Sequence, residues 1–247
     1  MNQLFNLSIV IPCYNEGKRL DTSSFIEFLD NQKDTLICFV DDGSKDNTLE
    51  VLNTIKHKFP NSVEVVSAVK NEGKAAAVKT GVLFCTQKIK QNKIAYIDAD
   101  LATSLEECVE ISSEINSEIV FAFGSRISKI DNYIDRKLYR FLIGRIIATA
   151  ISHQLKLPVY DTQCGCKIFT NNLAKEIFKD NFISKWLFDV EIFHRISAIY
   201  GTHKMPTICK EIPLKKWVDV GESKVHITYF FKLWLDLLKI GKTYKNN

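Results

Sequence analysis

The segment Lys93-Ile94-Ala95-Tyr96-Ile97-Asp98-Ala99-Asp100 is an apolar run that ends on two carboxylates one residue apart. Runs of this length bounded by polar residues read as short buried strands, whose side chains alternate, so Asp98 and Asp100 are expected on one side. Two hard oxygen donors at the carboxyl end of a strand suit a divalent cation that also grips phosphates; a solvated strand end is the plain alternative. A second acidic strand end, Asp41-Asp42-Gly43-Ser44, follows Thr35-Leu36-Ile37-Cys38-Phe39-Val40, and the turn Gly73-Lys74 lies between the two. Asp, Gly and Ser all form turns, and a turn can still present a carboxylate to a ligand. Together these groups point to a nucleotide whose diphosphate is bridged by Mg2+ or Mn2+. A metal there would orient a bond to a leaving diphosphate and neutralise its charge. No Gly-Lys-Ser/Thr phosphate loop and no Gly-x-Gly-x-x-Gly after the first strand is present, which sets aside P-loop and dinucleotide readings.

The elements that must hold these groups follow a strand, loop, helix rhythm. Strands are expected at Leu7–Pro12, Thr35–Val40, Val63–Ser67, Lys93–Ile97 and Glu118–Phe123, with helices to Asp30, around Leu49, Leu52 and Ile55, through Gln87, and over Ser104–Asn116. This alternation predicts an α/β fold with a mostly parallel central sheet flanked by helices and a ligand site at the strand carboxyl ends. Beyond Gly124 the rhythm lapses. A helix over Arg136–Leu155 mixes Leu138, Phe141, Leu142, Ile146 and Ile147 with Arg136, Lys137, Arg140 and Arg145. Such a helix either packs on the sheet with its basic residues solvated or lies on an anionic membrane surface. Short helices either side of Trp186–Glu191, a strand pair near Ile208–Leu214 and an amphipathic helix over Ile227–Ile240 complete the chain.

At 247 residues, 46% hydrophobic and 25% charged, the chain reads as one globular domain, with a first half over 1–123 that carries the nucleotide groups and a second half over 124–247. The net charge of +4 is too mild to imply nucleic acid. Seven cysteines, an odd number scattered through strands and helices, suggest a reducing compartment. Neither a secretory signal nor a membrane span is legible, so any membrane contact is expected to be peripheral.

Pro12-Cys13-Tyr14-Asn15-Glu16, Val40-Asp41-Asp42-Gly43-Ser44, Asn71-Glu72-Gly73-Lys74 and Asp98-Ala99-Asp100, in this order and spacing, resemble the inverting glycosyltransferase family 2 of GT-A fold. Gly124-Ser125-Arg126, Asp161-Thr162-Gln163-Cys164-Gly165-Cys166-Lys167, Trp186-Leu187-Phe188-Asp189-Val190-Glu191 and Trp217 to Lys224 resemble its dolichyl-phosphate β-glucosyltransferase branch and the bacterial polyprenyl-phosphate relatives. The resemblance implies a nucleotide-sugar donor, UDP-glucose favoured and GDP-mannose open, and a polyprenyl phosphate acceptor. By the same resemblance Pro12, Tyr14, Asn15, Glu16, Asp41 and Asp42 match positions around the base and ribose, and Lys74 lies near the nucleotide. Asp98 and Asp100 match the sugar and metal site, and Asp161 a position often assigned as the catalytic carboxylate.

Arg126, Arg136, Arg140 and Lys224 are candidates for the acceptor phosphate, because guanidinium offers paired donors matched to its oxygens. For Arg136 and Arg140 a solvated helix face is the alternative, and for Lys224 a surface lysine. A phosphate monoester, with a second pKa of about 6, needs little help from a base. Asp161 is therefore expected to orient the attacking group or share the metal, with basic catalysis the lesser role. Two rivals stand beside this reading: a family 2 enzyme acting on a saccharide in surface polysaccharide synthesis, where a hydroxyl nucleophile makes a base obligatory, and a nucleotide-sugar binding protein without turnover. Relatives carry a membrane span; here access is expected through the helix from Arg136, the closing helix or a separate membrane protein, at the cytoplasmic membrane face.

Overall fold

The computed structural model describes residues 3–135, 138–218 and 227–245. Strands β1 (Leu4–Cys13), β2 (Thr35–Asp41), β3 (Val63–Ser67) and β4 (Lys90–Tyr96) alternate with helices α1 (Thr22–Asn31), α2 (Thr48–Lys58) and α3 (Lys74–Lys88). Then come α4 (Leu105–Ser112), β5 (Phe121–Ser125), β6 (Tyr133–Asp135), α5 (Leu138–Leu155), β7 (Lys167–Thr170), α6 (Asn171–Ile177) and α7 (Phe188–Tyr200). A short α8 (Met205–Ile208), β8 (Cys209–Pro213), β9 (Lys216–Val218) and α9 (Ile227–Thr243) follow.

Seven strands form one sheet in the order β3-β2-β1-β4-β7-β5-β8, and β6 pairs with β9 in a separate ribbon. All neighbours in the large sheet are parallel except β7, which runs antiparallel between β4 and β5. Strands from both sides of residue 123 thus share one sheet. Alternation along β1 explains the layering: Leu7, Ile9 and Ile11 join the core under α1, α2 and α4. Val10 faces the other core with α3, α6, α7 and the ends of α5 and α9. A strand buried on both faces must be apolar throughout, and every residue of β2 is buried.

Three sequence expectations change. β4 stops at Tyr96, so Asp98 and Asp100 sit in the turn beyond the strand rather than on its alternating face. The segment Phe188–Glu191 opens α7 instead of separating two helices. The strand pair at Ile208–Leu214 is a single strand, β8, whose partner is β5.

Candidate functional site

The chain passes outward from β1 to β2 and β3, then returns to place β4 on the other side of β1. Such a reversal opens a crevice at the strand carboxyl ends. Here it is a cleft of about 420 Å³ between the loop after β1 and the turn after β4. Pro12, Tyr14, Glu16, Asp42, Lys74, Asp98 and Asp100 all line it, together with Arg19, Lys185 and Trp186. Asn15 and Asp41 are not in its wall. Asn15 takes a left-handed φ of 54° and its Oδ1 accepts the Lys45 amide at 2.9 Å, while Asp41 Oδ1 accepts the Ser44 amide at 3.2 Å. Both therefore fasten the loop after β2.

Asp42 does both things its residue type allowed. Its two oxygens accept the amides of Glu72 and Gly73 at 2.9 and 2.8 Å, setting the turn into α3, and the residue still reaches the cleft. The loop after β2 needs Gly43 to pass this close, for its φ of +66° is left-handed and its Cβ would stand 2.6 Å from the Lys70 carbonyl carbon.

At the far wall Lys74 Nζ lies 2.5 Å from Asp98 Oδ1. Burial alone would lower the Lys74 pKa, but the charges of Asp98, Asp189 and Asp100 outweigh it and the pKa is raised. Asp100 is an exposed residue at the rim, yet burial of its carboxyl and then the neighbouring Asp98 raise its pKa. Crowded negative charge of this kind favours a cation, and Asp98 with Asp100 are the side chains that could hold one. Among the described residues no group of three or more His, Cys, Asp or Glu side chains is arranged to hold a metal ion by itself. A divalent ion here would complete its shell from ligand phosphates and water, the habit of Mg2+.

Asp161 is not in this cleft. Its carboxylate is bidentate to Arg126, with Nε donating to Oδ2 at 2.6 Å and Nη2 to Oδ1 at 2.8 Å, and it also accepts the amides of Arg126 and Gln163. Burial pushes the Asp161 pKa up, but the Arg126 charge and hydrogen bonds prevail and hold it well below the usual carboxylate range. The guanidinium also lies 5.3 Å from the Trp217 ring. Glu211 on β8 completes the support, accepting the amides of Tyr160 and Asp161 at 3.0 and 2.8 Å. Sequence reasoning passed over Glu211; the signal was a carboxylate inside an otherwise ordinary strand, Cys209-Lys-Glu-Ile-Pro.

Lys167 was passed over as well. It is wholly buried, with Nζ 2.6 Å from Asp189 Oδ1 and donating to the Cys164 carbonyl at 2.6 Å. Tyr96 Oη donates to the same Asp189 oxygen at 2.5 Å. Lys167 thus ties the first turn of α7 to the loop that carries Asp161. Glu191 acts elsewhere, accepting from the Ile183 amide, Arg195 and Tyr244. Of the remaining acceptor-site candidates, Arg136 and Lys224 lie outside the described residues, as does the side chain of Arg140.

The chain is similar to proteins of one family. The family model for glycosyl transferase family 2 matches residues 8–178. A dolichyl-phosphate beta-glucosyltransferase of Trichomonas vaginalis is 31% identical over 95% of this chain and 70% of its own length. The human dolichyl-phosphate beta-glucosyltransferase is 28% identical over 90% of this chain and 74% of its own. The Saccharomyces cerevisiae one is 31% identical over 96% and 72%. Among solved structures, glucosyl-3-phosphoglycerate synthase of Mycobacterium tuberculosis with Mn2+, UDP-glucose and phosphoglyceric acid superposes with a TM-score of 0.66 at 15% identity, covering 96% of this chain and 80% of that one. That likeness bears on the fold, which is of GT-A type.

Proposed function

The chain belongs to glycosyl transferase family 2, and from that premise we propose that it moves glucose from UDP-glucose to the phosphate of a dolichyl-like polyprenyl phosphate, with inversion at the anomeric carbon. A terminal phosphate oxygen attacks C1 from the face opposite the diphosphate, the new C1–O bond forms as the old one breaks, and UDP leaves with the electron pair. In the cleft, Tyr14, Glu16 and Asp42 surround the nucleoside, and Lys74 meets the negative charge of the diphosphate. Mg2+ or Mn2+, held by Asp98 and Asp100, would supply charge neutralisation to the leaving group.

The observation that carries the lipid-phosphate reading is the state of Asp161. A hydroxyl acceptor needs a base, and a carboxylate depressed in pKa with both oxygens engaged by Arg126 is a weak one. A phosphate monoester brings its own charge to the reaction. What such an acceptor needs is a fixed cation, and Asp161 holds Arg126 in place for that task. We place this reaction at the cytoplasmic membrane face, with the protein bound peripherally.

The test is a panel of UDP-glucose and GDP-mannose against a polyprenyl phosphate, the free polyprenol and a saccharide, with products read by mass. Glucosyl phosphoryl polyprenol from UDP-glucose is the expected product, lost on chelation and restored by Mg2+ or Mn2+. Hexose appearing only on the saccharide would overturn the reading, as would UDP-glucose binding without turnover.

A further inference from the structure

Most carboxylates around Lys74 have other partners. Asp189 is engaged by Lys167 Nζ at 2.6 Å and by Tyr96 Oη at 2.5 Å. Asp42 gives both of its oxygens to the Glu72 and Gly73 amides, and Glu16 pairs with Arg19 at 3.1 Å. The Lys74 ammonium accordingly sits on Asp98, 2.5 Å from Oδ1, with the centroid of the buried Phe188 ring 5.9 Å away. Because Lys74 is the first residue of α3, its backbone is fixed and rotation of the side chain alone can carry the ammonium elsewhere.

The other oxygen of Asp98 is confined as well. Oδ2 lies against Gly165, where a Cβ would stand 2.2 Å away. The carboxylate is thus held between an ammonium on one side and the loop before β7 on the other. This bears directly on a cation. Asp98 and Asp100 together carry two negative charges, but an ammonium on Oδ1 cancels one of them, and a divalent ion approaching that oxygen would meet a like charge at close range. The ion pair can nonetheless open, because its side chains are 27% and 40% exposed and pairs in contact with water are weak. A nucleoside diphosphate offers the ammonium a second set of oxygens, and moving to them frees Asp98.

Resting on the reading of the cleft as a nucleotide-sugar site with Asp98 and Asp100 as the cation's ligands, we propose that Lys74 competes with the cation for Asp98 until a diphosphate draws it off, so that the metal ion binds well only together with the nucleotide. Lys74 then sets the order in which the two enter. The coupling is reciprocal: an ion that takes Asp98 leaves Lys74 to the diphosphate, so each tightens the other. If Asp98 is free of the ammonium about a tenth of the time, a divalent ion binds about tenfold more weakly than it would to the same carboxylates unpaired.

Titration with Mn2+, followed by electron paramagnetic resonance of the free ion, tests this without recourse to turnover, first with no nucleotide and then with saturating UDP. In the wild type UDP should tighten Mn2+ by at least about tenfold. Lys74→Met should tighten Mn2+ about tenfold with no nucleotide present and make the further gain from UDP smaller. Lys74→Gln gives a second reading should Lys74→Met lower the melting temperature. Lys185→Gln removes another cation of the same wall, one whose stem packs on Gly73, and should leave the Mn2+ affinity within about twofold. An Mn2+ affinity unchanged within twofold in both Lys74 variants, an equal gain in Lys185→Gln, or a wild type that takes up Mn2+ as tightly alone as with UDP overturns the proposal. A wild type that binds UDP neither with nor without Mn2+ instead removes the nucleotide reading on which the proposal stands.

Discussion

Gly165 shows how much of the site depends on a single missing atom. A Cβ on it would stand 2.2 Å from Asp98 Oδ2 and 2.7 Å from Cγ, well inside van der Waals contact. Asp98 would have to swing away and release Lys74, which it can do because its side chain is 40% exposed. Gly165→Ala is therefore expected to lower kcat by about a hundredfold through misplacement of the carboxylate, with the melting temperature nearly unchanged. Initial rates beside a thermal melt check this, and wild-type turnover in the variant would remove Asp98 from the reaction. Glu211 acts at one remove, by holding the Tyr160 and Asp161 amides. Glu211→Ala leaves two partly buried donors without their acceptor, at most about 1–3 kcal/mol each, and should reduce kcat while calorimetry finds UDP-glucose affinity intact. Equal losses in kcat and in UDP-glucose affinity would mean that Glu211 supports the whole end of the sheet rather than Asp161.

At the scale of elements, what was legible in the chain was what local pattern encodes. β1 and β2 could be read because strands buried on both faces are apolar runs, the edge strand β3 from its valines, and Ser104 because its hydroxyl caps α4 on the Glu107 amide at 3.1 Å. The antiparallel course of β7 between β4 and β5 is a tertiary choice with no local mark. Lys167 escaped for the same reason: its charged partner, Asp189, meets it only once α7 docks. Removing one member of a buried pair strands the other charge, so Lys167→Met is expected to cost about 3–5 kcal/mol in chemical denaturation. A loss below about 1 kcal/mol would mean that Tyr96 alone satisfies Asp189. His194 ties three helices together, near Gln154 Nε2 of α5 at 3.1 Å and stacked on Tyr244 beyond α9. Burial pushes its pKa down to about 4. Between that value and the ordinary 6.5 or so, the unfolded chain binds a proton that the folded one does not. This contribution to stability is full above pH 6.5 and is lost as the pH falls toward 4. His194→Gln should flatten the dependence of melting temperature on pH across that window, and an unchanged slope would assign it to carboxylates.

At the scale of the whole molecule, the two substrates require opposite surroundings. The cleft at the β1 and β4 ends opens to water and is lined by charges. A second cavity, lined by Arg126, Arg145, Asp161 and Leu233 among others, is walled by α5 and α9, where Leu142, Ile146, Leu235 and Leu238 are each more than half exposed. No helix among the described residues is long and apolar enough to cross a membrane. We propose that a long-chain acceptor is met at a bilayer surface, by side chains that enter the headgroup region from α5 and α9 while the net charge of +4 favours anionic lipid. Placing charge on that face, as in Leu235→Asp with Leu238→Asp, should abolish co-sedimentation with vesicles of anionic phospholipid. Turnover of vesicle-borne undecaprenyl phosphate should fall at least about tenfold, while a short, water-soluble prenyl phosphate is glucosylated at the wild-type rate, because neither leucine lines the nucleotide cleft or the second cavity. Loss of both activities together would mean that the substitutions damage the α9 packing through Leu237 and Ile240. Retention of both would mean that another surface, or another protein, brings the lipid to the cavity.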